Sequence, residues 1–269
     1  MLRSVCLSSL LGLTVHVCFA ENAPPPPLDK DQVQGAGFIE ETTIPSPSEI
    51  FTTLSKGGKP DWSSLFRKEP PTPHRSRPLI ALNLGARIAD GFLAAEAQDP
   101  QQVKNVSMEI KLLAKSLGLE QEFTGRNNSI AAFADSRQWD ALDEELESVQ
   151  GELAAAMNGQ HDDHLVTLMS LGCWLRSVEI ASAIVAADYS VEKAKALRLP
   201  GICTFYAGQL SSMTERIKSA TLVAELQRRL PALDALLSQH PETPPSAKGV
   251  TEMRDLTVEM IALITGPEK

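Results

Sequence analysis

The stretch HDDHLVTLMSLGCWLRSVE, residues 161–179, strings two histidines, two aspartates, a cysteine, an arginine and a glutamate along one apolar run. Two chemistries compete for it. At a spacing of three, His161 and His164 share one side of a helix, and Asp162 or Asp163 could add an oxygen ligand. Zinc needs three or four ligands, so this pair requires help from elsewhere in the chain. The competing reading follows the periodicity: His161 steps by four and three into Leu165, Leu168 and Gly172, the packed stripe of a helix. Gln160, Asp162 and Asp163 then decorate its N-terminus, where unpaired backbone N–H groups and the dipole favour acids. That reading accounts for more of the residues and makes the stretch part of a core helix over about 162–187.

Helical signals continue on both sides. Pro78 opens a helix to about Gln98, and Asp99-Pro100 opens another that Gly118 stops. A short helix or turn is expected over 127–135. Residues 136–157 carry Trp139, Leu142, Leu146, Val149, Leu153 and Ala156 on one side and Asp143, Glu144, Glu147 and Glu152 on the other. Ser190 caps a shorter helix that Pro200-Gly201 ends. A helix over 202–229 is expected to break near Gly208, with Pro231 starting a separate piece to Ser238. Thr251 begins the last helix, with Met253, Leu256, Met260 and Leu263 inward. No window alternates with β-branched enrichment. The fold class is therefore all-α: a compact multi-helix bundle of mostly antiparallel helices over 77–269, about eight in number.

The N-terminus is of another kind. Arg3, an apolar run over Val5–Val17 and the small residue Ala20 read as a secretory signal peptide over 1–20. The run is short for a permanent span and four prolines follow it. A lipid anchor at Cys18 fits poorly, because His16-Val17 replace the small residues expected there. The expected location is periplasmic or secreted. Residues 21–76 form a proline-rich tether with short helical pieces, which Phe51, Leu54, Trp62 and Phe66 would lay across the main domain.

The formal charge is −9, and losing Arg3 with the leader leaves 24 basic against 34 acidic residues, or −10. With HRSR at 74–77 the only basic cluster, nucleic acid is not an expected partner. Cys173 and Cys203 are the cysteines of the mature chain. An oxidising compartment allows them to pair, while their apolar surroundings equally suit two separately buried thiols.

LNLGARIAD (82–90) and MSLGCWLRSVE (169–179) echo each other, placing Leu-Gly-small mid-helix and an arginine three residues before an acid: Arg87 with Asp90, Arg176 with Glu179. A degenerate duplicated helical hairpin would produce this, and so would chance in an alanine- and leucine-rich chain. Asn83, Arg87 and Asp90 draw a polar line beside Ala81, Gly85 and Ala89, whose small side chains let another backbone approach. Together with Arg176 and Glu179 they are the candidate ligand-binding residues, an arginine gripping an anionic group. As structural ion pairs they would need full pairing if buried.

No reactive set emerges. Cys173 sits in an apolar helix, no Gly-x-Ser-x-Gly element is present, and EELESVQGE (144–152) lacks the glycine turn of a calcium loop. No cofactor is expected. The function expected is non-catalytic binding or scaffolding in the cell envelope, with a protein, a peptide or an apolar small molecule as partner. The alternatives are a metal-assisted hydrolase using His161 and His164, and a structural homo-oligomer joined through the 136–157 helix.

Overall fold

The computed structural model describes residues 44–67, 76–218, 220–238 and 243–266. The export segment 1–20, the tether up to residue 43 and residues 68–75 lie outside the described residues. All the described residues belong to one compact unit.

Every described element is helical: α1 (Pro47–Lys56), a 3₁₀ turn (Trp62–Leu65), α2 (Arg77–Glu96), α3 (Pro100–Leu117), α4 (Glu120–Asp135), α5 (Trp139–Gly159), α6 (Asp163–Ala187), α7 (Val191–Ala194) leading into a 3₁₀ turn (Lys195–Leu197), α8 (Ile202–Ser212), α9 (Glu215–Lys218), α10 (Thr221–Leu237) and α11 (Ala247–Thr265). The all-α bundle expected from the periodicity is what forms. From residue 77 onward, eight of these helices have eleven residues or more.

Helices α2 and α6 are the axis of the molecule. Both are buried on most sides, which is why apolar and small residues surround the few polar ones in their sequences. Each is long and apolar enough to cross a membrane, but 94 % and 83 % of those windows are packed inside the bundle. The hairpins α2–α3, α3–α4 and α4–α5 fold back antiparallel, as pairs such as Lys104–Asp135 and Arg126–Glu145 show. The central pair differs. Arg77 at the start of α2 pairs with Asp162 before α6, Gly85 meets Met169 and Cys173 mid-helix, and Asp90 meets Arg176 further on, so the two chains advance together and α2 runs parallel to α6.

Local chemistry sets the ends. Asp99 accepts hydrogen bonds from the backbone N–H groups of Gln101 and Gln102, and Gly118 closes α3 at φ 82°. Ser46 and Glu49 form a capping box on α1. That helix and the turn after it bury Ile50, Phe51, Leu54 and Trp62 against the core, with the Phe51 and Trp62 rings 5.4 Å apart.

Several boundaries depart from expectation; the last helix starts at Ala247, where the Ser246 side chain accepts the Gly249 N–H as cap, and not at Thr251. Helix α4 spans 16 residues because Phe123 is buried and Arg126 is tied to α5, contacts its polar first half did not reveal. The chain breaks after Ser212 and not at Gly208, since a lone glycine weakens a helix by only about 1 kcal/mol. Pro231 lies inside α10, where Leu226, Leu230, Leu233 and Leu237 continue one buried stripe through it. That burial outweighs the roughly 3 kcal/mol an internal proline costs. In α5 the apolar stripe Leu142, Leu146, Val149, Leu153 and Met157 is buried within the chain itself. The homo-oligomer reading needed that stripe for a second copy and loses it here.

Candidate functional site

At the crossing of α2 and α6 the backbones touch. A Cβ on Gly85 would lie 1.8 Å from the Met169 carbonyl oxygen, and one on Gly172 would lie 2.0 Å from that of Leu82. Each glycine therefore rests on the carbonyl three residues before the other, a near two-fold arrangement. It gives the sequence echo a physical cause: both Leu-Gly-small runs serve one contact.

Close approach of the helices draws their polar residues into one network. Arg176 Nε donates to Asp90 Oδ1 at 2.8 Å, and Arg87 Nη1 donates to Asp90 Oδ2 at 3.1 Å. Arg176 Nη1 lies 2.8 Å from Glu179 Oε2, and its Nη2 donates to the Leu65 carbonyl at 2.7 Å. Arg87 Nε is 2.9 Å from Glu109 Oε2 of α3. Arg67, at the end of the segment carrying Trp62, donates through Nε to Asp90 Oδ2 at 2.8 Å and through Nη2 to the same oxygen. Three guanidinium groups thus meet three carboxylates, with Arg87, Asp90 and Arg176 each only 3–4 % exposed. Burial alone would raise the Asp90 carboxyl pKa, but Arg67, Arg176 and Arg87 outweigh it and hold it at about 2. Burial also pulls the Arg67 guanidinium pKa down, while Asp90 and Glu179 hold that of Arg176 up against the same effect.

Of the five candidate ligand-binding residues, four meet here: Arg87, Asp90, Arg176 and Glu179. Asn83 stands apart, its Nδ2 donating to the Ile264 carbonyl at 2.5 Å and so tying the end of α11 to α2. Arg67 and Glu109 complete the network and were not singled out in the sequence. Neither carries a local signal; an arginine in a proline-rich tether reads as linker, and a lone glutamate on an amphipathic helix reads as solvated face.

The histidines do not gather. His161 occupies the turn between α5 and α6 at φ 61° and is exposed. His164 lies in the first turn of α6, and Asp162 is engaged by Arg77, whose Nη2 sits 2.6 Å from Oδ2. Among the described residues no three or more His, Cys, Asp or Glu side chains converge as metal ligands. Among the described residues the hydrolase alternative finds no third ligand.

Cys173 and Cys203 are both free and buried, the second of the two arrangements the sequence left open. Cys173 faces Gln150 of α5, while Cys203 sits at the start of α8 near Asp234. Burial pushes the Cys173 thiol up to about 12 and raises that of Cys203 as well. A nucleophile needs the opposite shift.

No family model, curated protein or solved structure matches this chain. Its own geometry therefore carries the functional reading.

That geometry includes two sizeable concavities that no member of the ion network lines. A cleft of about 580 Å³ opens between the start of α2, the start of α10 and the end of α11. Its walls are largely apolar, with Leu79, Leu222, Val223, Ala262 and Leu263 inside and Arg229, Glu225 and Glu259 at the edge. A second groove of about 660 Å³ runs between the entry to α1, α5 and α6. Neither is lined by Arg87 or Arg176, so the arginine grip expected from sequence does not open on either concavity.

Proposed function

We propose that this chain is a non-catalytic binding protein of the cell envelope, and that the α2–α10–α11 cleft takes an apolar group of its partner. The supporting observation is the cleft itself: about 580 Å³ falls within the range of ligand pockets, and its lining is mostly aliphatic with a few polar groups at the edge. An apolar side chain or short acyl chain entering it leaves water without stranding a polar group. The chemistry around it favours binding over reaction, because the buried arginines are occupied by carboxylates and the Cys173 thiol is held neutral.

The envelope location rests on residues 1–20, read as an export signal. Mass analysis of protein recovered from the producing cells tests it: a mature chain starting at Glu21 supports the location, and an intact Met1 in the cytoplasm overturns it.

Titration with the neutral dye N-phenyl-1-naphthylamine tests the cleft. Ala262 is exposed and lines it, so Ala262→Phe fills it without disturbing the core. Saturable 1:1 fluorescence enhancement that Ala262→Phe weakens at least tenfold is expected. Equal binding to both chains, or none, would show that the cleft is not a binding site.

A further inference from the structure

Helix α1 is fastened to the body near both of its ends by hydroxyl groups. Ser48 Oγ donates to Asp143 Oδ2 of α5 at 3.2 Å, and Ser55 Oγ donates to Glu96 Oε2 of α2 at 2.8 Å. The two serines are two helical turns apart and so lie on one side of α1. That side also carries the buried Ile50, Phe51 and Leu54. Both acceptors are acids without a lysine or arginine partner among the described residues. The second oxygen of Asp143, Oδ1, is buried and has no hydrogen-bond partner. A carboxylate taken out of water without a counterion costs free energy that a neutral carboxylic acid does not.

The charges around these acids have their own sign. Asp143 is faced by Glu96 from α2 and by Glu147 and Asp140 of α5 itself. The cations of the neighbouring elements are committed elsewhere. Arg87 of α2 and Arg176 of α6 hold Asp90, while Lys193 and Lys195, around the second 3₁₀ turn, hold Asp188 and Glu192. On α1 itself Glu49 accepts the Ser46 backbone N–H, and Lys56 is exposed. Burial raises both carboxyls, Asp143 to about 6 and Glu96 in the same direction, with the serine hydroxyls opposing. The far end of the arm is fixed differently. Arg67 meets Asp90, whose carboxyl is held at about 2 and therefore stays charged around pH 6. Between the two anchorages lie Gly57 and Gly58, the latter at φ 153°. Such a joint lets one end of the arm move while the other holds.

We propose that α1 is a pH-sensitive latch, docked while Asp143 and Glu96 are protonated and lifting from α2 and α5 more readily once they ionise. The apolar contacts of Ile50, Phe51 and Leu54 carry no titratable group, so the two carboxyls set how the docking varies with pH. A carboxyl whose pKa is raised by docking stabilises the docked state below its ordinary value, and that contribution is lost as pH rises through the raised one. For Asp143 the window runs from 3.8 to about 6. Lifting uncovers more than the arm. Ile44, Pro47 and Glu49, at the entry to α1, form one wall of the groove of about 660 Å³, and Val166 and Met169 of α6 line it as well. The latch therefore widens access to that groove above about pH 6 and restricts it below.

Hydrogen–deuterium exchange of the full chain, corrected for the intrinsic pH dependence of exchange, tests this. Between about pH 5 and about pH 7.5 the protection of α1 should fall about tenfold, less than the full linkage because both carboxyls are part-exposed. The midpoint should lie near pH 6. Helix α6 and the turn carrying Trp62 should keep their protection over the same range. Asp143→Asn and Glu96→Gln combined should leave α1 equally protected at both pH values, with the circular dichroism of the parent. Protection of α1 that stays constant in the parent, or that falls in step with α6, overturns the latch, and the parent chain alone decides this. A pH dependence that survives in the double variant overturns the assignment to these two carboxyls.

Discussion

Gly85 and Gly172 lie face to face, each against the other helix's backbone, at distances no side chain could enter. This contact sets the separation of α2 and α6 and with it the reach of Arg176 to Asp90. Gly85→Ala and Gly172→Ala should each destabilise the fold. Alanine gains about 1 kcal/mol of helix propensity, but forcing apart two packed backbones costs more than the 1–3 kcal/mol of ordinary overpacking. A net loss of about 2 kcal/mol or more is expected from denaturant midpoints. Unchanged midpoints would mean that the helices do not cross there.

Asp90→Asn should be among the most damaging single changes outside that contact. It leaves three guanidinium groups around a neutral amide, and removing one partner of a buried charge set costs about 3–5 kcal/mol. The loss should depend on pH. With its native pKa lowered to about 2, the carboxylate contributes fully above its ordinary value of 3.8, and the contribution disappears as pH falls through about 2. Stability curves of parent and variant should run apart at pH 7 and converge below pH 3. Parallel curves across that range would show that Asp90 is not the charged centre of the network.

Asp143 should behave in the opposite sense. Burial raises its carboxyl to about 6, with the Ser48 hydroxyl hydrogen bond opposing and the neighbouring Glu96 and Glu147 adding to it. The folded state therefore prefers the protonated acid, and its stabilising effect, present below pH 3.8, is lost as pH rises through about 6. Asp143→Asn should gain about 1 kcal/mol at pH 7.5, allowing for its part exposure, and nothing at pH 4. Thermal melts of both chains at the two pH values check this. A loss at pH 7.5 would point to a charge partner for the carboxylate.

Neither Cys173 nor Cys203 should react while the chain is folded. Both thiols are buried and their pKa values raised, so N-ethylmaleimide should modify neither in native buffer and both in urea. Mass spectrometry reads the outcome. A mass lower by two hydrogens under mild oxidation would show that the sites can meet.

The axis of this fold was legible because its signals are local. Apolar periodicity marks α2 and α6, Asp99-Pro100 and Gly118 bracket α3, and small residues at Ala81, Gly85 and Ala89 announce a close neighbour. Four of the six members of the ion network stood out for the same reason, as arginine–acid pairs at helical spacing. Arg67 and Glu109 did not, because what makes them members is position in space: one lies 23 residues before Asp90, and the other reaches Arg87 across a hairpin. The parallel course of α2 and α6 was also beyond local reading, since three intervening helices decide it. Concavities are harder still. Leu263 looked like an ordinary core residue, and only the arrangement of three helix ends turns it and Leu222 into walls.

The reach of Arg67 into the helical core bears on where this protein can be cut. From Arg77 onward the network would hold Arg87 and Arg176 against Asp90, Glu109 and Glu179, one negative charge in excess around a buried aspartate. It would also lose the Leu65 carbonyl that receives Arg176. A fragment trimmed to the obvious helices would therefore start life electrically unbalanced. The modest arm that precedes them is the counterion of the bundle.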